Sequence, residues 1–158
     1  RLRTVTGVQT CALPIYGHSA GGLLASFLAT TGEVEAACDE CGVPHDFTFF
    51  TRPDIKTRYA KVTENLRLYL GAPIEERLEL ARQVSPATYI SKRTAPLLLL
   101  QGEVDQTVPA EEMVEYHRAL QAAGVDVTLK LLPGVGHGWD SNLTRADVVS
   151  FFNRTLRR

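Results

Sequence analysis

The chain has 158 residues, 44% hydrophobic and 22% charged, the proportions of one globular domain. Seventeen Lys and Arg against eighteen Asp and Glu leave a formal net charge of -1, without the basic excess of a phosphate-binding surface, so no nucleic acid is expected as partner. The longest wholly apolar run, Leu97–Leu100, is too short to span a membrane, and three cysteines do not make a disulfide scaffold.

The first fifteen residues read differently from the rest. Arg1 and Arg3 are basic, but Thr4, Thr6, Gly7, Gln9 and Thr10 interrupt any signal-peptide core. The run from Val5 to Ile15 resembles the conceptual translation of a short-read sequencing adapter joined in frame to a coding sequence. Residues 1–15 are therefore expected to be a non-native leader, with the native sequence starting near Tyr16 and Cys11 carrying no functional meaning.

From Gly21 to Thr31 the chain is small and apolar and stops at Gly32, which predicts a buried helix. Val34–Cys38 is a short strand candidate ahead of Gly42-Val43-Pro44. Residues 45–95 are polar and rich in Arg, Glu and aromatics, with breaks at Pro53, Pro73 and Pro86. They predict a helical insertion lying over a core, with helices near Lys56–Leu70 and Ile74–Gln83 and Leu78, Leu80 and Ala81 facing inward. Leu97–Leu100 predicts a parallel strand covered on both faces. Pro109 and Glu111-Glu112 open a helix that Gly124 closes, with Met113, His117 and Leu120 on one face. Val127, Leu129 and Leu131 alternate with polar residues as a further strand. Thr144 and Asp147 form a capping-box pattern before an amphipathic helix carrying Val148, Phe151, Phe152 and Leu156. Strand and helix alternate with short loops, so the fold class is α/β with a parallel sheet.

Three loops carry the candidate chemistry. Gly17-His18-Ser19-Ala20-Gly21 matches the G-x-S-x-G nucleophile elbow, where the glycines are expected to keep Cβ atoms away from neighbouring backbone. Asp105 lies in the loop after the Leu97 strand, and His137 lies between Gly136 and Gly138 after the Val127 strand. Serine is a weak nucleophile unless a base takes its proton and an acid orients that base. The chain order Ser19, Asp105, His137 is that of the α/β-hydrolases. The N–H of Ala20, at the start of a helix, would supply one oxyanion donor.

These motifs, with Ser85-Pro86 and the Gly102–Pro109 loop, resemble the α/β-hydrolase superfamily from Tyr16 to Arg158. The nearest resemblance is to its esterase/lipase branch, feruloyl-esterase-like and hormone-sensitive-lipase-like. That resemblance implies the C-terminal part of an α/β-hydrolase fold with a lid at about 45–95, and a serine hydrolase acting on small-molecule carboxylic esters through an acyl-enzyme. It implies no cofactor and no metal, and leaves the oligomeric state open. Prolyl-oligopeptidase-type peptidases share the Asp and His loops but usually carry an aromatic residue after the serine, where this chain has Ala20. A peptidase and a non-catalytic binding fold stay open as alternatives. Family members often read His-Gly-Asp where this chain has Gln101-Gly102-Glu103, a departure expected not to touch the triad. The family's His-Gly-Gly oxyanion loop should precede the elbow and is not in this sequence, so the chain as written is expected to be truncated and nearly inactive.

The remaining candidates have plainer readings. Glu103 is the rival to Asp105, and Asp140 is too close to His137 in sequence to orient it. His18 is expected to pack beside the elbow, His45 to be a loop residue and His117 to sit on a helix surface. Cys38 and Cys41 read as two free thiols, because residues three apart at a strand end face opposite ways. Arg52, Arg58 and Arg67 read as a solvated lid face. The lid aromatics Phe47, Phe49, Phe50, Tyr59, Tyr69 and Tyr89 are expected to help select the substrate.

Overall fold

A computed structural model of the chain describes residues 13–156, so most of the adapter-like leader lies outside the described residues. Four strands form one parallel sheet in the order β1 (Pro14–His18), β2 (Ala36–Glu40), β3 (Leu97–Gly102) and β4 (Val127–Leu132). Helices α1 (Ala20–Thr31), α5 (Ala110–Ala122) and α6 (Arg145–Leu156) belong to the sheet layers. Helices α2 (Pro53–Arg58), α3 (Ala60–Leu70) and α4 (Leu78–Gln83) belong to the insertion between β2 and β3.

Side chains alternate across the central strands, and each face has its own cover. Ala37, Leu97 and Leu99 pack with Ala25 and Ala29 of α1 and with Met113, Tyr116 and Leu120 of α5. Ala36, Cys38, Leu98 and Leu100 pack with Phe151 of α6, backed by Val148, Phe152 and Leu156. Two covered faces explain why Leu97–Leu100 is apolar without interruption. Helix α1 buries only its small-residue face, Ala25, Ser26 and Ala29 among it, while Leu24 is exposed. The fully buried helix predicted there is therefore half right, because small side chains bring that face close to the sheet and leave the other in solvent. Its end is as expected, with Gly32 in the left-handed region at φ 78°.

The strand predicted at Val34–Cys38 runs instead from Ala36 to Glu40. Two carboxylates at the end of a short apolar run look like a loop, yet here both are buried and partnered. Asp39 accepts from Ser26 Oγ at 2.5 Å, from the Gly42 N–H at 2.8 Å and from His45 Nε2 at 2.8 Å. Glu40 accepts from the Tyr16 hydroxyl, and Thr144 Oγ1 lies 3.5 Å from its other oxygen. Burial raises the Glu40 carboxyl above its ordinary range, partly offset by the Thr144 hydrogen bond. The capping box predicted at Thr144 also resolves differently. The Thr144 hydroxyl accepts from Trp139 Nε1 at 3.1 Å and faces Glu40, while Asp147 pairs with Lys130 at 2.7 Å.

The insertion has a core of its own. Phe47, Phe49, Phe50, Ile55, Val62, Leu66, Leu70, Ile74 and Ala81 are buried together. Phe47, Phe49 and Phe50 thus fill the insertion's interior, against the expectation that they help select a substrate, whereas Tyr69 and Tyr89 are exposed. Ala81 faces inward as predicted, but Leu78 and Leu80 are exposed, because α4 is under two turns long and buries a single position. Arg52 pairs bidentately with Glu115, and Arg58 with Glu111, at 2.6–2.8 Å, tying the insertion to α5; Arg67 pairs with Glu64. These pairs are about half exposed and contribute little each.

His45, read from the sequence as a loop residue, is fully buried. Its Nδ1 lies 2.8 Å from Glu112 Oε2, its Nε2 lies 2.8 Å from Asp39 Oδ2, and its ring stacks on Tyr116 at 4.1 Å. Glu112 also accepts the backbone N–H groups of His45 and Asp46 at 2.7 and 2.9 Å. Burial disfavours the imidazolium, but Glu112 and then Asp39 outweigh it and lift the His45 pKa to about 10. A folded-state value above the ordinary value of about 6.5 means stability that is complete below pH 6.5 and lost as pH rises toward 10. Replacing His45 with Gln should cost about 3–5 kcal/mol, because two buried carboxylates lose their cation. In urea unfolding from pH 6.5 to 8, the parent should lose about 1 kcal/mol per pH unit through this group. The His45→Gln variant should lack that slope.

Candidate active site

All three candidate residues lie beyond the carboxyl ends of strands, where parallel sheets gather their functional groups. Ser19 follows β1, Asp105 follows β3 and His137 follows β4. The Ser19 side chain is carried by a backbone with φ 54° and ψ -120°, a costly conformation for a residue with a Cβ. Surrounding hydrogen bonds hold it there. The Ser19 N–H donates to the Glu40 carbonyl at 2.8 Å, and the Ser19 carbonyl accepts from Gly22 and Leu23 at 2.8 and 3.2 Å. Cys41 has φ 45°, so the ends of the paired strands β1 and β2 both leave the sheet through a strained residue.

The glycine argument from the sequence needs one correction. A Cβ on Gly17 would strike the backbone of Gly21 and Gly22, as expected. A Cβ on Gly21 would meet nothing within 4 Å, so the last glycine of the G-x-S-x-G pattern is not required for space. The crowded positions are Gly22 and Gly42, where a Cβ would strike the Asp39 carboxylate and the other glycine's chain segment. Gly102 is equally tight, with the Val135 and Gly136 carbonyls where its Cβ would be. That contact, with the Val104 N–H donating to the Val135 carbonyl at 3.1 Å, laces the Asp105 loop to the His137 loop.

The three side chains meet. His137 Nε2 lies 3.1 Å from Ser19 Oγ, and His137 Nδ1 lies 2.8 Å from Asp105 Oδ2. Asp105 is 2% exposed, and its other oxygen accepts from the Thr107 and Val108 N–H groups at 2.7 and 2.9 Å. Gln101 Nε2 donates to Asp105 Oδ2 at 3.1 Å. The Gln101 departure therefore does touch Asp105, against expectation, because side chains of the strand end and the following turn share one buried space. Glu103, the rival acid, is exposed. Ala20 is the first residue of α1, and no carbonyl within the helix is positioned to accept its N–H.

His18 sits beside the elbow as read, its ring 5.6 Å from that of His137 and its Nδ1 3.4 Å from Cys41 Sγ. Burial pushes the Cys41 thiol up to about 12, despite backbone hydrogen bonds from Ser19 and Gly138 that oppose the rise, so it is neutral at pH 7. Cys38 packs on the α6 face, and both cysteines are free. His117 is only partly exposed on α5, and burial followed by the Arg118 charge lowers its pKa. Asp39, His45, Glu112 and Ser26 escaped the sequence reading, since no motif links residues separated by 67 positions.

The comparisons agree with this geometry at the level of fold and family. The BD-FAE family model matches residues 6–120. The chain belongs to the BD-FAE family of α/β-hydrolase esterase domains. It is 37% identical over 82 residues to acylamino-acid-releasing enzyme 2 of Oryza sativa subsp. japonica, covering 52% of this chain and 10% of that protein. The BD-FAE chain therefore spans about a tenth of the length of the curated relatives it matches. It superposes on a truncated form of a carbohydrate esterase from gut microbiota with TM-score 0.76 and 19% identity, covering 95% of this chain and 62% of that one. It superposes on puromycin hydrolase with TM-score 0.71 and 25% identity, covering 90% of this chain and 22% of that one.

The glycine contacts can be tested directly. Gly17→Ala should destabilise the BD-FAE domain by at least about 1–3 kcal/mol, because the obstruction is backbone. Gly21→Ala, inside the first turn of α1, should be neutral or stabilising by up to about 1 kcal/mol. Chemical denaturation of the two variants side by side measures the contrast.

Proposed function

We propose that this BD-FAE domain is a serine hydrolase that cleaves carboxylic esters through an acyl-enzyme on Ser19. The observation that supports this reading is the unbroken run of hydrogen bonds from Ser19 Oγ through His137 to the buried Asp105 carboxylate. In this mechanism His137 Nε2 takes the Ser19 proton as Oγ attacks the ester carbonyl, then gives it to the departing alcohol. Asp105 keeps the Nδ1–H tautomer and stabilises the imidazolium, with Gln101, Thr107 and Val108 holding the carboxylate in place. The Ala20 N–H, at the positive end of α1, is one donor to the tetrahedral oxyanion. Water activated by His137 then releases the acid.

A peptidase acting on acylated amino acids is the second reading. It is favoured by the 37% identity to an acylamino-acid-releasing enzyme. The small Ala20 next to the nucleophile, where an aromatic is usual in prolyl-oligopeptidase-type enzymes, favours the ester.

A fluorophosphonate probe tests the chemistry and an ester-versus-amide panel tests the bond. Ser19 should be labelled in the parent and unlabelled in Ser19→Ala. His137→Ala and Asp105→Asn should each slow labelling by about 10²–10⁴-fold, while Glu103→Gln should leave it unchanged. Near-normal labelling of Asp105→Asn, or labelling that persists in Ser19→Ala, would overturn the mechanism. Faster turnover of acylamino-acid amides than of p-nitrophenyl esters would decide for the peptidase.

A further inference from the structure

Beside the nucleophile lies a cluster that the hydrolytic mechanism does not use in full. One ligand atom each from His18, Cys41 and His137 lie within 4.8 Å of one another. Cys41 Sγ is 3.4 Å from His18 Nδ1. We propose that His18, Cys41 and His137 form a site for a thiophilic divalent cation such as Zn²⁺, and that the cation inhibits the enzyme by occupying His137.

The donor set is one thiol and two imidazoles, which suits Zn²⁺ and Cd²⁺ and disfavours Ca²⁺ or Mg²⁺, which want oxygen. Zinc bonds of about 2.0–2.1 Å to nitrogen and 2.3 Å to sulfur place tetrahedral donors about 3.3–3.8 Å apart. The Cys41–His18 pair already has that separation, and a pair at the 4.8 Å limit must close by about 1.2–1.5 Å. The histidines can make that movement and also give the ion a way in, since the His18 side chain is 45% exposed and the His137 side chain 22%. Cys41 is buried at a turn with φ 45°, so the closing movement falls to the two histidines.

The surroundings of His137 fit a ligand as well as a base. Its Nδ1 is held by the Asp105 carboxylate, the outer-shell partner that fixes a metal-ligating imidazole. On binding, the Cys41 thiol loses its proton to solvent, the thiolate and one nitrogen lone pair from each histidine bind the ion, and no electron is transferred. The Nε2 lone pair that would accept the Ser19 proton is then used, and Ser19 Oγ, 3.1 Å away, loses its base. The inhibition rests on the proposed role of His137, whereas the binding does not.

The test uses the full chain carrying Cys11→Ser, so that Cys38 and Cys41 are the thiols present, freed of metal with a chelator. Cd²⁺ should raise the ultraviolet thiolate-to-cadmium charge-transfer band to saturation at one equivalent, and Zn²⁺ should remove it by competition. Cys41→Ser should abolish the band. His18→Ala, a change at a half-exposed side chain that keeps the test open if Cys41→Ser does not fold, should weaken Cd²⁺ at least about tenfold. Zn²⁺ should slow fluorophosphonate labelling of Ser19 in the parent and do so at least about tenfold less effectively in His18→Ala. No band in the parent, a band that survives Cys41→Ser, or Cd²⁺ affinity untouched by His18→Ala would overturn the site. A saturable Cys41-dependent band without slowed labelling would leave Cys41 and His18 as ligands and overturn the inhibition through His137.

Discussion

The Asp39 carboxylate is fully buried, and parts of the chain that are far apart in sequence all touch it. Ser26 of α1, the Gly42 N–H at the exit of β2 and His45 at the entrance to the insertion bond to it directly. Gly22 and Gly42 lack side chains where any Cβ would collide with it. Through His45 the same anion is coupled to Glu112 of α5. An isolated charge in such a place would cost several kcal/mol, so the site exists only because donors converge on it from α1, β2 and the insertion together. The elbow helix, the insertion and the central sheet are thereby held in one arrangement.

That arrangement supports the strain on which the candidate chemistry depends. A serine at φ 54° does not hold that conformation alone. Its N–H is bonded to the carbonyl of Glu40, the residue after Asp39, and the following helix is pressed against Asp39 through Gly22. On the other side, Gly102 lets the loops bearing Asp105 and His137 touch, and the buried oxygen of Asp105 is fastened by two backbone N–H groups. The exposed ion pairs between the insertion and α5 contribute little by comparison, because solvent screens them.

The buried Asp105 and the hydrogen-bonded Ser19 turn surround a more accessible His137. Asp105 and Cys41 are buried, while His137 and His18 reach solvent. The proton exchange proposed for His137 needs that exposure, and the same exposure leaves room for the proposed ion. The nearby thiol is kept neutral by burial at neutral pH, so it does not compete with Ser19 as a nucleophile.

Local structure was readable from residue order alone. The apolar run Leu97–Leu100, the alternation of Val127–Leu131 and the Gly32 stop each act within a few residues, and each became the element it announced. Ser19, Asp105 and His137 could be expected near one another because short loops after strands must emerge on one edge of a parallel sheet, whatever the helices do. The strand end at Asp39 and Glu40 was missed for the opposite reason. Asp39 and Glu40 look like solvent-facing residues until Ser26, His45, Tyr16 and Thr144 arrive from distant segments to satisfy them. His45 and Glu112 are 67 residues apart, and Cys41 meets His18 across 23. Whether a buried charge or thiol is tolerated depends on partners that only chain folding brings within hydrogen-bonding distance, and no local pattern encodes that distance.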